Sequence, residues 1–139
     1  MKTYFKYATL LLIIFFAFPG CTSLTMGNKD PKVIIQKNID SLMTAKINAE
    51  WDKVYDFFDS NFKKVTKKES FAHPNKDIFK SYHIEYIKVD PSGMQADALV
   101  KADMNVRSFD LKDVPEKQHW IIEKGKWVIV VKPGSNFID

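Results

Sequence analysis

The sequence predicts an α+β domain, with N-terminal helices packed on a curved four-stranded antiparallel sheet. Three observations carry this. Apolar residues first recur at helical spacing, from Ile35 to Ala45 and again from Trp51 to Phe62. The period then switches to two, most clearly over Ala96, Ala98, Val100, Ala102, Met104 and Val106. Turn residues punctuate the second half at Asp90-Pro91-Ser92-Gly93 and at Lys124-Gly125. The chain has 139 residues, of which 45% are hydrophobic and 27% charged, enough for one domain and too apolar for a disordered chain. A net charge of +4 without clustering on one face argues against a nucleic-acid partner. A single cysteine excludes an internal disulfide and a cysteine-rich zinc site.

Residues 1–20 form a separate unit. Lys2 and Lys6 open it, an uncharged apolar run from Tyr7 to Phe18 follows, and Pro19, Gly20 and Cys21 end it. The run is too short to cross ~30 Å of hydrocarbon comfortably and has the layout of a secretory signal. Cys21, the only cysteine, follows it directly. Phe18-Pro19-Gly20-Cys21 resembles the lipobox of bacterial lipoproteins, in which the signal is cut before a lipid-modified cysteine. Gly20 and Cys21 match that pattern, and Phe18 and Pro19 depart from it. The other reading is a buried thiol in an uncleaved anchor. The resemblance implies a membrane partner reached through acylated Cys21. With Thr22 rather than Asp next, it implies sorting to the outer membrane, facing the periplasm. Residues 21–29 then read as a lipidated tether, and its eight residues after the cysteine reach roughly 16 Å if flexible.

Residues 30–139 read as the folded domain. Asp30-Pro31 is a helix start, with an acceptor at the N-cap and proline at the first helical position. Ile35, Ile39, Leu42 and Ala45 carry that helix to about Ile47, and Asn48-Ala49 is a corner. Trp51, Tyr55, Phe58 and Phe62 predict a second helix over 50–59, with Asp52, Asp56 and Asp59 on its wet side. Core packing is one reading of these rings; the other places some of them around a ligand. Thr66 and Glu69 fit a capping box for a short helix ended by Pro74. Lys63, Lys64, Lys67 and Lys68 read either as a solvated face or as a contact for anionic headgroups.

The strands follow. Tyr82, Ile84 and Tyr86 share one phase and Ile87 and Val89 the other, which predicts a bulge near Tyr86. The alternation from Gln95 to Arg107 is a strand with one wet face. Residues 108–115 read as a polar loop, 118–123 as a third strand and 126–132 as a fourth, and Pro133-Gly134-Ser135 ends it.

From residue 30 to about 132 the chain resembles the nuclear transport factor 2-like (cystatin-like) superfamily. The resemblance rests on the Asn48-Ala49-Glu50-Trp51-Asp52 corner, the Val54-Tyr55-Asp56-Phe57-Phe58 segment and the hairpin that joins Trp120 to Trp127. It implies a cone whose cavity lies between the helices and the bent sheet, and a homodimer through the sheet. It leaves function open, since the superfamily holds both enzymes and binding domains.

An enzyme of this kind needs an inward base beside an oxyanion partner. Asp97 and Asp103 fall on the wet face. If Trp120 points inward, His119 and Glu123 do not. Only Tyr55, Tyr82 and Tyr86 remain as inward polar groups, and a hydroxyl without a base is a poor catalyst. His73, His83 and His119 lack metal-ligand spacing, and nothing suggests another cofactor. The expectation is a non-enzymatic, lipid-anchored envelope protein with no catalytic residues. It would bind a small apolar ligand in a cavity lined by Tyr55, Phe58, Tyr82, Tyr86 and Trp120, or a protein partner on the sheet. A small isomerase, dehydratase or hydrolase in the same cavity is the alternative.

Overall fold

The computed structural model describes residues 29–71 and 78–131. Cys21, the leader, most of the tether, Pro74 and Pro133-Gly134-Ser135 lie outside the described residues.

Helix α1 (Pro31–Ile47) starts where its chemistry asks. The Asp30 carboxylate accepts from the Lys32 backbone N–H at 2.9 Å, and Pro31 needs no donor of its own at this position. Ile35, Ile39, Leu42, Met43 and Ala45 form its buried stripe. Helix α2 (Trp51–Asp56) and helix α3 (Ser60–Val65) replace the single helix expected over 50–59. The interruption has a backbone cause. Ile129 N–H donates to the Phe57 carbonyl at 2.8 Å, and Asp59 N–H donates to the Ile129 carbonyl at 3.0 Å. These bonds pull residues 57–59 out of the helix, and the Asp59 carboxylate then caps α3 through Asn61 N–H at 3.1 Å. The aromatic stripe survives: Phe58 and Phe62 rings lie 4.6 Å apart, and Tyr55 meets Phe71 edge-on at 5.5 Å.

Thr66 does not open a helix. It ends α3, donating its N–H to Phe62, and its carbonyl accepts the Tyr55 hydroxyl at 2.7 Å. Only a 3-10 turn at Lys68–Ser70 follows, without a side-chain cap.

The sheet runs β1-β2-β3-β4, all neighbours antiparallel. Its strands are β1 (Phe79–Val89), β2 (Gln95–Val106), β3 (Phe109–Glu123) and β4 (Lys126–Ile129). Register shifts between Ile84 and Tyr86 in β1, the predicted place. Ile87 and Val89 thereby face inward opposite Ala98 and Ala96, and Tyr86, opposite Leu99, faces outward. The apolar face of β2 packs under the helices, with Ala96, Ala98, Val100 and Ala102 almost wholly buried.

The segment expected to be a loop over 108–115 is strand. Strand β2 turns into β3 through Arg107-Ser108, with φ of 50° and 69°. Both residues are left-handed, the geometry of a two-residue hairpin that normally selects Asn-Gly. Arg-Ser gives no such signal, and Asp110, Lys112, Asp113 and Pro115 are poor strand formers. Pairing with β2 overrides them. Lys112 and Asp113 bulge opposite Asp103, where Asp113 takes φ 54°. Asp103 secures the bulge, accepting from Lys112 Nζ at 3.0 Å, Ser81 Oγ at 2.9 Å and Asp113 N–H at 3.2 Å.

Two outcomes test this account. Arg107→Asn with Ser108→Gly removes left-handed strain of ~1–2 kcal/mol per residue, less the entropy that glycine loses. The double variant is expected to melt about 4 °C higher. The Lys112 and Ser81 bonds and the Asp113 N–H hold the Asp103 carboxyl below its ordinary range. Its stabilisation is therefore present above the unfolded-state pKa and lost as pH falls through the folded one. Urea unfolding of Asp103→Asn is expected to show a deficit near pH 7 that closes towards about pH 3.

Candidate functional site

The helices and the inner face of the sheet meet over Trp120, which is 0% exposed. From it a chain of polar contacts runs through the interior to α1. Trp120 Nε1 donates to Gln118 Oε1 at 3.0 Å, and Gln118 Nε2 donates to Glu116 Oε1 at 2.8 Å. Lys46 Nζ donates to both Glu116 oxygens, at 2.7 and 2.6 Å. Lys46 is only 4% exposed, and its ammonium lies 5.4 Å from the centre of the Phe79 ring. Glu116 is 24% exposed. Each member thus has a partner, as a buried polar network requires.

Local structure dictates these positions. Glu116, Gln118 and Trp120 alternate along β3 and so share its inner face. Lys46 stands one turn beyond Leu42, on the stripe Ile35, Ile39, Leu42. It lies in the last turn of α1, where a cation also suits the helix dipole.

A recess of about 1100 Å³ opens beside this chain. Among the described residues, β4 pairs only with residues 120–123 of β3, and no other strand pairs with that edge over residues 109–118. The recess runs around that edge. Leu42, Lys46, Phe58, Phe79, Val114 and Glu116 line its inner limb, and Tyr86, Lys88, Asp97 and His119 its outer limb. Leu42, Phe58, Ala98 and Ala102 are almost wholly buried, so the inner wall is closely packed. Glu116 is the partly exposed charged residue of that wall.

The residues expected to line a cavity are divided by this geometry. Phe58 lines the inner limb, and Tyr86, 46% exposed, lines the outer one. Tyr55 is buried, its hydroxyl spent on Thr66. Tyr82 donates to Asp40 Oδ1 at 2.9 Å, tying β1 to α1. Burial, then the Asp40 carboxylate, pushes the Tyr82 hydroxyl above the usual tyrosine range, so it remains a donor. Trp120 is core. On the outer face His119 meets Asp97 at 2.7 Å. Lys63 and Lys68 turn onto α2, Lys63 to the Asp56 carbonyl at 2.9 Å and Lys68 to the Asp56 carboxylate at 3.5 Å. Among the described residues no three metal-ligating side chains come together.

Sequence reasoning missed Lys46, Glu116 and Gln118. A signal existed for the first: a lysine on the apolar stripe of a helix must be paired or snorkel. Glu116 and Gln118 share the phase of Trp120 and were readable from it. No protein-family model matches the chain, and no curated protein is significantly similar to it.

Removing one partner of a buried ion pair leaves the other uncompensated. Lys46→Met is expected to destabilise the domain by ~1–3 kcal/mol, below the fully buried range because Glu116 can turn to water. Lys46→Met with Glu116→Gln is expected to recover most of that loss in urea unfolding. A double variant as unstable as the single one would show that the lysine stem, not the charge pairing, matters.

Proposed function

We propose that this chain is a lipid-anchored, non-catalytic domain of the bacterial envelope, with a nuclear transport factor 2-like cone as its fold. Acylated Cys21 holds it to the outer membrane on the periplasmic side, and its recess takes a small, largely apolar molecule. The order of features in residues 1–22 supports the anchor. Two acyl chains or more make such an anchor stable, at ~0.8 kcal/mol per buried CH₂. Among the described residues no helix is long and apolar enough to cross a membrane. Helices lying on the inner face of a curved sheet support the cone.

One observation carries the non-catalytic reading. Glu116, the carboxylate that reaches the recess from the inner face, has both oxygens engaged by Lys46 and one also by Gln118. Those three hydrogen bonds aim the carboxylate at Lys46 and Gln118 rather than at a substrate. Its inward position also favours a second reading, a small isomerase, dehydratase or hydrolase in which Glu116 leaves Lys46 to take a proton. The apolar residues Tyr86, Leu99 and Ile121 on the outer face support a second copy as the protein partner.

Cys21→Ala is expected to abolish incorporation of labelled palmitate and to release the protein from the membrane fraction; persistent labelling overturns the anchor. Native mass spectrometry of the chain in detergent is expected to find a retained small molecule. A bare protein mass counts against the ligand.

A further inference from the structure

The Lys46–Glu116 pair is asymmetric. Lys46 is fixed: it sits in the last turn of α1, is almost wholly buried and lies over the Phe79 ring. Glu116 is the exchangeable half. It is partly exposed, it stands on the stretch of β3 that β4 does not cover, and it lines the recess. Rotation of one side chain carries its carboxylate into water, where it is well solvated. The ammonium has no such exit and must keep an anion.

We propose that the recess binds small organic carboxylates, and that the ligand's carboxylate replaces that of Glu116 on Lys46. This rests on the binding-domain reading above and names the ligand class. The ligand's two oxygens take the Nζ donors that Glu116 now holds, so the interior keeps its charge balance and no new ion is buried. Its apolar part lies against Val114 and Val131, the partly exposed apolar residues of the lining on that side. A cationic ligand would meet the Lys46 charge. A neutral one would leave Glu116 in place and gain no ionic contact. Exchange also breaks the Gln118–Glu116 bond, and Gln118 holds the Trp120 indole. The ring of Trp120 therefore reports on occupancy without touching the ligand.

Octanoate serves as the probe, with octanol and octylamine as controls, on the purified full chain in detergent. The Trp120 indole N–H signal, assigned with Trp120→Phe, is followed by NMR. Octanoate is expected to shift it saturably, and the controls are not. Glu116→Gln removes the competing carboxylate and is expected to tighten octanoate binding about tenfold, as when a charged partner is replaced by a neutral one. Lys46→Met with Glu116→Gln, which leaves no buried charge unpaired, is expected to stay folded and lose the response. An equal response in that double variant, or no saturable response in the parent chain, overturns the proposal. Octanol binding as well as octanoate overturns it too, yet leaves the apolar-ligand reading standing; binding of neither removes both.

Discussion

Ile129 is used twice, and much of the architecture follows from that. Its side chain lies opposite Trp120 across the β3–β4 pair, and its backbone N–H and carbonyl bind Phe57 and Asp59. The corner between α2 and α3 thus covers the outer edge of β4, as an edge strand needs if it is not to template further pairing. The same bonds break the helix at residues 57–59 and place Asp59 as the cap of α3. Val130 still donates to His119 at 2.9 Å, but regular pairing has ended, and among the described residues no strand pairs with that edge of β3 over residues 109–118. The recess follows that edge.

What the sequence made legible is what local chemistry decides. Asp30-Pro31 caps and starts α1 by itself. The strict alternation of β2 puts five small or aliphatic side chains under the helices whatever its neighbours do. Lys124-Gly125 turns the last hairpin in left-handed geometry, with φ of 51° and 77°. The misses have long-range causes. Nothing near Phe57 tells of Ile129, some seventy residues on. Arg107-Ser108 is an unpromising turn, held by the pairing of strands on either side. The first half of β3 carries residues that disfavour strand and is recruited by β2 and by Asp103.

The candidate site divides along the same line. Trp120 was identifiable as inward from its phase, and Phe58 from its stripe. Tyr86 shared the phase of Tyr82 and Ile84, yet the bulge at Ile84/Tyr86 turned it to the other face. A single inserted residue reverses every later side chain, so a bulge just after Tyr86 would have left it inward, and the bulge just before it turns it outward. Tyr55 and Tyr82, the other two tyrosines expected as inward polar groups, donate to Thr66 and Asp40. The charged groups that do reach the interior are instead ones that composition treats as surface: Lys46 near a helix end, Glu116 on β3, and Asp59, expected on the wet side of its helix and 4% exposed where it caps α3.

Such a pair needs a reason, because burying it is not the cheapest way to fill space. Hydrophobic residues of similar volume often give equal or greater stability in its place. Position narrows the reasons. A pair kept only to fix register belongs deep in the core, with both halves immobilised. Here one half is locked by a helix, and the other stands at an opening, on a stretch of β3 that pairs with β2 but not with β4. General-base chemistry asks for the reverse, a fixed carboxylate with a free lone pair. A held cation with a replaceable counterion suits recognition of an anion. The chain Lys46, Glu116, Gln118, Trp120 then links whatever occupies the mouth to the centre of the core.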